Sequence, residues 1–333
     1  MKKVHIIKEV KEYHHCENLI IICSDKIRLL DLNTQDATII NEKIWTSLLV
    51  KNKLLYQKEN GEEVFILDLF DYSIKNLLNG IHFYLFKHSQ INNALYVLAT
   101  DGTTYQINHD LFKYEIFNLG RMPRFILNNN YFRTPSSFLI SYNLISNNEL
   151  LHIDVGEMGK WLDYDGKTFK SGEVKNLYSV GEKYIVAEIE RSALACFELE
   201  TGKVVWQFNG PYTTHFLVSL YEGSFFVFSD YYYEISAETG AVLRKEDYSS
   251  LLEKASIKQY MLTAPAINDK YIAIASHHDS AILLINRETF TVHQRIDLEN
   301  CQNGIPLGNT PRLHGKRLFQ QDGDGTLYIF EEA

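Results

Sequence analysis

Apolar and polar residues alternate along this chain in a phrase that recurs. An apolar run is followed by a polar turn and a second apolar run. A short polar corner and a further strand then follow. The clearest copy runs from Lys183 through the turn at Glu190-Arg191 to Trp206. A second runs from Gly223 to Gly240, and a third from Lys270 to Thr289. Weaker copies begin at Asn18, Lys53, Ala94, Ser137 and Lys316, which makes eight hairpins. A polar residue near the end of each second run serves as a ruler: Asp31, Asp68, Asn108, Asp154, Glu198, Ser236 and Asn286. Their spacing is about 42 residues, the period of a four-stranded propeller blade.

No segment holds a sustained helical period. A helical turn is expected only within 246–259, with Ser249 capping Leu251–Ala255. After Phe330 too few residues remain for a fourth strand, whereas Val4–Lys8 reads as a strand ahead of the first unit. The N-terminal strand is therefore expected to complete the last blade. Closure of this kind removes exposed sheet edges. The expected fold is all-β: a single closed β-propeller domain over 1–333. Eight blades are expected, with seven the alternative if one weak early hairpin is an insertion.

Composition agrees with this reading. Tyr (21) and Phe (19) dominate the aromatic residues, which suit half-buried pleated surfaces. Four cysteines in 333 residues cannot staple the fold, and Cys23 and Cys196 lie in strand-like runs as reduced core thiols. A net charge of −9 argues against general binding to a phosphate backbone. No apolar run approaches the roughly 20 residues that span a bilayer, and the N-terminus lacks the apolar core of an export signal. A cytoplasmic monomer, with no nucleic acid and no membrane among its partners, is expected.

The segment Cys196-Phe-Glu-Leu-Glu-Thr-Gly-Lys-Val-Val-Trp206 resembles the repeat of the pyrroloquinoline-quinone (PQQ)-type propellers, Ala-x-Asp-x-x-Thr-Gly-x-x-x-Trp. Thr201, Gly202 and Trp206 match, while Cys196 and Glu198 stand for the Ala and Asp. Glu238-Thr239-Gly240 repeats the corner with Arg244 in place of Trp, and Asp31–Thr34 and Asn286–Thr289 keep part of it. The resemblance implies that Thr and Gly form the corner between third and fourth strands, and that the Trp packs on the neighbouring blade. Quinone-using members carry an adjacent cysteine pair, which this chain lacks, so no PQQ and no other cofactor is expected. Non-catalytic members use the same repeat as a protein-binding platform.

Local chemistry is sparse. Gly-x-Ser-x-Gly, His-Glu-x-x-His, the P-loop and Gly-x-Gly-x-x-Gly are all absent. His277-His278 sits in a turn, where neighbouring side chains diverge and two-histidine metal ligation is awkward. Asp322-Gly-Asp-Gly and Asp163-Tyr-Asp-Gly read as hairpin turns, because the bidentate Glu of a calcium loop does not follow. Arg121, Arg124 and Arg133 cluster with Phe125, Tyr131 and Phe132, and read as a solvated blade edge.

Recognition by loops on a rigid scaffold is the leading expectation, with no catalytic, cofactor or metal residues. The candidate protein-binding residues are Arg121, Arg124, Arg191, Tyr231, Tyr233, His277 and His278. The candidate contact segments are 155–173, 246–261 and 298–309. The expected partner is another protein, with a basic one favoured by charge, and a bacterial immunity protein neutralising a toxin fits that profile. The alternatives are a metal-dependent hydrolase or lyase, or a sugar or small-ligand binder, using a central channel. His152, His215, His277 and His278 are the residues to examine first in that case.

Overall fold

The computed structural model describes residues 1–16, 18–59, 63–79, 83–84, 94–99, 103–108, 113–117, 124–127, 130–163, 165–210, 216–258 and 261–332. The described residues form eight four-stranded sheets, one two-stranded ribbon and one short helix, Ser249–Lys254. Seven sheets take four consecutive strands each. Blade 1 opens at Glu12–Cys16, blade 2 at Ile44–Val50, blade 3 at Phe83–Tyr84 and blade 4 at Phe125–Leu127. Blades 5, 6 and 7 open at Val174–Val180, Leu217–Tyr221 and Ala266–Ile267. Blade 8 combines Arg312–His314, Arg317–Gln321 and Leu327–Glu331 with Lys2–Ile7, which pairs antiparallel to Leu327–Glu331. The N-terminal strand thus completes the last blade.

The chain divides into two compact units. One comprises Met1–Glu9, Thr134–Leu139 and Leu151–Ala333; the other comprises Val10–Arg133 and Ile140–Leu150. In each, apolar clusters lie between consecutive blades. Val186, Leu194 and Cys196 of blade 5 meet Phe225, Val227 and Ile235 of blade 6 in the first unit. Ile21, Cys23 and Leu29 of blade 1 meet Leu54, Tyr56 and Leu67 of blade 2 in the second. Where side chains are described, middle strands such as Tyr271–Ser276 are covered on both faces and read as unbroken apolar runs. Val204–Asn209, a fourth strand, is covered on one face only and alternates. No helix among the described residues is long and apolar enough to cross a membrane. None of the four cysteines is in a disulfide. Burial pushes the Cys23 thiol up to about 12 and the Cys196 thiol up to about 11, so both are inert core groups.

The corner between third and fourth strands is built the same way in blades 5, 6 and 7. The third strand ends on a polar side chain that ties the turn. Ser236 Oγ accepts the Thr239 N–H at 3.2 Å, and Asn286 Oδ1 accepts the Thr289 N–H at 2.9 Å. The Thr201 hydroxyl donates to Glu198. A left-handed residue follows: Gly202 (φ 69°), Gly240 (φ 70°) or Phe290 (φ 51°). Its N–H returns to the carbonyl four residues back, at 2.8, 2.8 and 2.9 Å respectively. Three residues later the fourth strand carries a β-bulge, with Val205, Leu243 or His293 as the extra residue. A bulge re-aims the next side chain, and here it points that side chain at the following blade.

Trp206 is the first such side chain. Its Nε1 donates to Ala237 O at 3.1 Å, and its ring lies where a Cβ on Gly240 would sit, at 2.6 Å. Arg244 is the second. Its Nη1 donates to Arg287 O at 2.6 Å and Glu288 O at 3.1 Å, with the guanidinium 5.3 Å from the Phe290 ring centroid. Gln294 is the third, and its Nε2 donates at 3.1 Å to the O of Met1, the residue just ahead of the fourth strand of blade 8. Leu151 of blade 4 approaches Gly202 in the same manner. Phe290 also stacks on Tyr232 of blade 6, ring centroids 4.5 Å apart. The aromatic ring therefore comes from the earlier blade at the junction of blades 5 and 6, and from the later blade's corner at the junction of blades 6 and 7.

Two expectations need correction. Asp154 does not end a third strand: Phe138–Asn143 is the third strand of blade 4 and Glu149–Asp154 the fourth. Asn143 is the corner residue, its Oδ1 accepting the N–H groups of Ile145 and Ser146. Ser249 does not cap the helix but begins it. Tyr248 is the N-cap and offers no side-chain cap, while Asp247 Oδ1 accepts the Ser249 N–H at 2.9 Å.

Candidate interaction surface

Antiparallel order gives each blade two unlike ends. The turns between first and second strands and the bulged corners share one end. The turns between second and third strands share the other end with the connections that lead to the next blade. In blades 5–8 this second end holds most of the sequence-selected residues. Arg191 lies in the second turn of blade 5, Tyr231 in that of blade 6, and His277 and His278 in that of blade 7. Tyr233 is two residues inside the third strand of blade 6 and buried. Arg124 belongs to the other unit and is exposed, its guanidinium 5.6 Å from the Phe125 ring. Arg121 and His215 lie outside the described residues.

Two of the three long connections are tied down. In 246–261, Tyr248, Leu251 and Leu252 are buried, and the Tyr248 hydroxyl donates to Ser229 O at 2.6 Å. Arg295 Nη1 bonds the carbonyls of Ala255 and Ser256 at the helix end, a favourable place for a cation. In 298–309, Gly304 runs so close to His277 that a Cβ would fall 2.7 Å from the His277 carbonyl oxygen. His277 Nδ1 and Ile305 O are 3.0 Å apart. His277 thus fastens a connection, while His278 remains exposed with its ring 5.5 Å from that of His277.

Cys301, Asp322 and Asp324 bring their ligand atoms within 4.8 Å of one another, the one such group among the described residues. Their oxygens already have work. Asp322 Oδ1 accepts the N–H groups of Asp324 (2.9 Å) and Thr326 (2.8 Å), and its Oδ2 takes the Tyr328 hydroxyl at 3.1 Å. Asp324 accepts the Gln302 N–H at 2.6 Å and the Asn303 N–H at 3.3 Å. These bonds outweigh desolvation and hold the Asp324 carboxyl below its ordinary value. The Asp-Gly-Asp-Gly segment closes a turn and anchors the adjoining connection.

The third connection, 155–173, is different. Trp161–Leu162 and Phe169–Lys170 pair as a two-stranded ribbon added to the blade repeat. Its legs cross at Gly159 and Gly172 over Ile189. A Cβ on Gly159 would fall 2.5 Å from Ile189 Cγ2, and one on Gly172 would fall 2.7 Å from the same atom. Only glycines let the two legs pass there. The tip is fixed by Asp165, whose Oδ1 accepts the N–H groups of Lys167 and Thr168 at 2.8 Å each. On this clamped base Leu162 and Phe169 form a cross-strand apolar pair, 43 % and 64 % exposed. Lys160 lies 5.6 Å over Phe169, and Lys170 lies 5.4 Å over Trp161. The length of this connection is legible in the sequence, but its ribbon residues are not, because two-residue strands carry no readable period.

The Asp165 turn gives a pH prediction. The Thr168 hydroxyl, then the N–H groups of Thr168 and Lys167, lower the Asp165 carboxyl to about 2. A depressed folded value means that the turn's contribution is complete above the ordinary Asp value of about 3.9, and is lost as pH falls towards 2. A carboxyl-detected NMR titration should place the Asp165 midpoint near 2, with Thr168 losing its amide protection over the same range. A midpoint near 4 would show that the turn does not hold the carboxylate.

No family model and no curated protein matches this chain. Solved structures do match in shape. BamB from Moraxella catarrhalis shares 12 % identity at a TM-score of 0.61, covering 99 % of this chain and 97 % of that one. Saccharomyces cerevisiae Sqt1 shares 12 % identity at a TM-score of 0.65, with full coverage of both. The dihydro-heme d1 dehydrogenase NirN shares 10 % identity at a TM-score of 0.59, over 87 % of this chain and 66 % of that one. At these identities the likeness is one of fold, and function must come from the site. Eight four-stranded antiparallel sheets and these neighbours together establish an all-β propeller fold, its last blade completed by the N-terminal strand.

Proposed function

We propose that this protein is a non-catalytic protein-binding scaffold, and that it engages its partner through the connection-bearing end of blades 5–8. The observation that carries this reading is the ribbon: an insertion in the repeat, clamped at two glycines, that holds Leu162 and Phe169 out to solvent. Ordering a two-stranded ribbon costs conformational entropy, and such a ribbon is barely stable unless it is anchored. Here the anchoring supports an apolar pair that contributes little to the core. Arg191, Tyr231 and His278 lie in turns at the same end of their blades. A net charge of −9 favours a basic partner through complementary fields, and toxin neutralisation by an immunity protein is one form of such binding.

The test is affinity capture from native lysate with the wild type and with a Leu162→Ser/Phe169→Ser double variant. Both side chains are exposed, so the variant should retain its unfolding temperature. A stoichiometric partner should bind the variant about 10- to 100-fold more weakly, the scale of losing interface anchors. A partner that binds both proteins equally would remove the ribbon from the interface.

A further inference from the structure

The turn after the second strand of blade 6 places two tyrosine rings around one ammonium group. Tyr231, at the turn, is 38 % exposed; Tyr233, on the third strand, packs its ring on Phe208 of blade 5 at 5.1 Å. The two tyrosine rings stand 6.4 Å apart at 70° to each other. Lys245 is the cross-strand partner of Tyr233. Its Nζ lies 4.0 Å from the Tyr231 centroid and 5.5 Å from the Tyr233 centroid. No ion pair to a described residue accompanies that contact, so the ring faces are what hold this exposed ammonium. The Tyr233 hydroxyl donates to Asp230 Oδ1 at 3.0 Å. That bond fixes the ring, feeds electron density into it, and sets a carboxylate beside the corner. A cation over an aromatic face is attracted by the ring quadrupole, and an exposed contact of this kind is held weakly enough to exchange.

We propose that the Tyr231–Tyr233 corner is an ammonium-recognition site: Lys245 is its internal occupant, and a lysine side chain of the protein partner replaces Lys245 on binding. This rests on the interaction reading above and names the chemistry of the contact. Tyr233 supplies a rigid wall, being locked between Phe208 and Asp230. Tyr231 supplies the movable wall, since the turn leaves it open to solvent. Asp230 holds the Tyr233 ring in place, and the net charge of the chain draws a basic partner towards the corner.

The first measurement needs no partner. Tyrosine-ring NMR signals are followed during titration with the methyl ester of N-acetyl-trimethyllysine, in the wild type and in Lys245→Met. Removing the internal ammonium should strengthen binding about tenfold, with shifts at Tyr231 and Tyr233, and Tyr231→Leu in the Lys245→Met background should abolish them. Absence of shifts in Lys245→Met, or equal shifts after Tyr231→Leu, would overturn the site. The second measurement uses the captured partner. Lys245→Met should tighten the complex and Tyr231→Leu should weaken it. If the corner binds the probe while both variants bind the partner as the wild type does, lysine docking is refuted and the ribbon result still decides the scaffold reading.

Discussion

Replacing Gly240 with alanine should cost roughly 2–5 kcal/mol of stability. About 1–2 kcal/mol comes from forcing a residue with a Cβ into the left-handed region. A further 1–3 kcal/mol or so comes from overpacking, because the new Cβ would fall 2.6 Å from the Trp206 ring. The ring cannot retreat freely, since its Nε1 is bonded to Ala237 O and its faces sit in the core between blades 5 and 6. Gly181 provides the control. It has φ 63° and nothing within 4 Å of an added Cβ. Gly181→Ala should therefore show the backbone cost alone. Urea unfolding of the two variants separates the contributions, and equal midpoints would disprove the close approach of Trp206.

The junction between blades 6 and 7 should respond to a paired exchange. Phe290→Gly removes a buried ring stacked on Tyr232, a loss of about 3–5 kcal/mol on the scale of large core truncations, eased a little by relief of the left-handed strain at φ 51°. Arg244→Trp alone drives an indole against Phe290 and loses the bonds to Arg287 O and Glu288 O, at about 1–3 kcal/mol from overpacking. Together the two changes recreate the Trp206–Gly240 arrangement. The double variant should recover about 1–3 kcal/mol relative to the sum of the single costs, the range of coupling between touching residues. Simple additivity in a double-mutant cycle would mean that the two junctions are not alternative solutions to the same packing problem.

The sequence made the middle strands legible for a physical reason. Neighbouring blades cover both of their faces, so stretches such as Ala281–Asn286 are apolar throughout. First strands carry much less signal, as two-residue Ala266–Ile267 shows. Blade 4 misleads because its second strand, Asn130–Arg133, is short and half polar, whereas its third and fourth strands mimic the usual hairpin. The Thr-Gly-x-x-x-Trp corner could be read from one blade. The use of Arg244 against Phe290 could not, because it belongs to a pair of blades and is invisible in either alone. The same limit applied to the surface. His277 looked free in the sequence, yet its ring nitrogen is engaged by Ile305, some 28 positions away. Tyr231 was recognisable as a turn aromatic, but the ammonium between it and Tyr233 depends on cross-strand register.

The bulged corner has a consequence for how such a chain can change its length over generations. Repeats invite unequal recombination, which deletes or duplicates a whole unit. Here the junctions of blades 5–6 and 6–7 are keyed: Trp206 fits a corner that has no side chain, and Arg244 fits a corner that presents a ring. Loss of the segment coding for blade 6 would set Trp206 against Phe290, ring on ring, where room exists for one. Duplication of blade 6 would set Arg244 over Gly240, with no ring beneath its guanidinium. Blades 5, 6 and 7 look interchangeable in outline but are therefore not interchangeable in order, and their succession is inherited together.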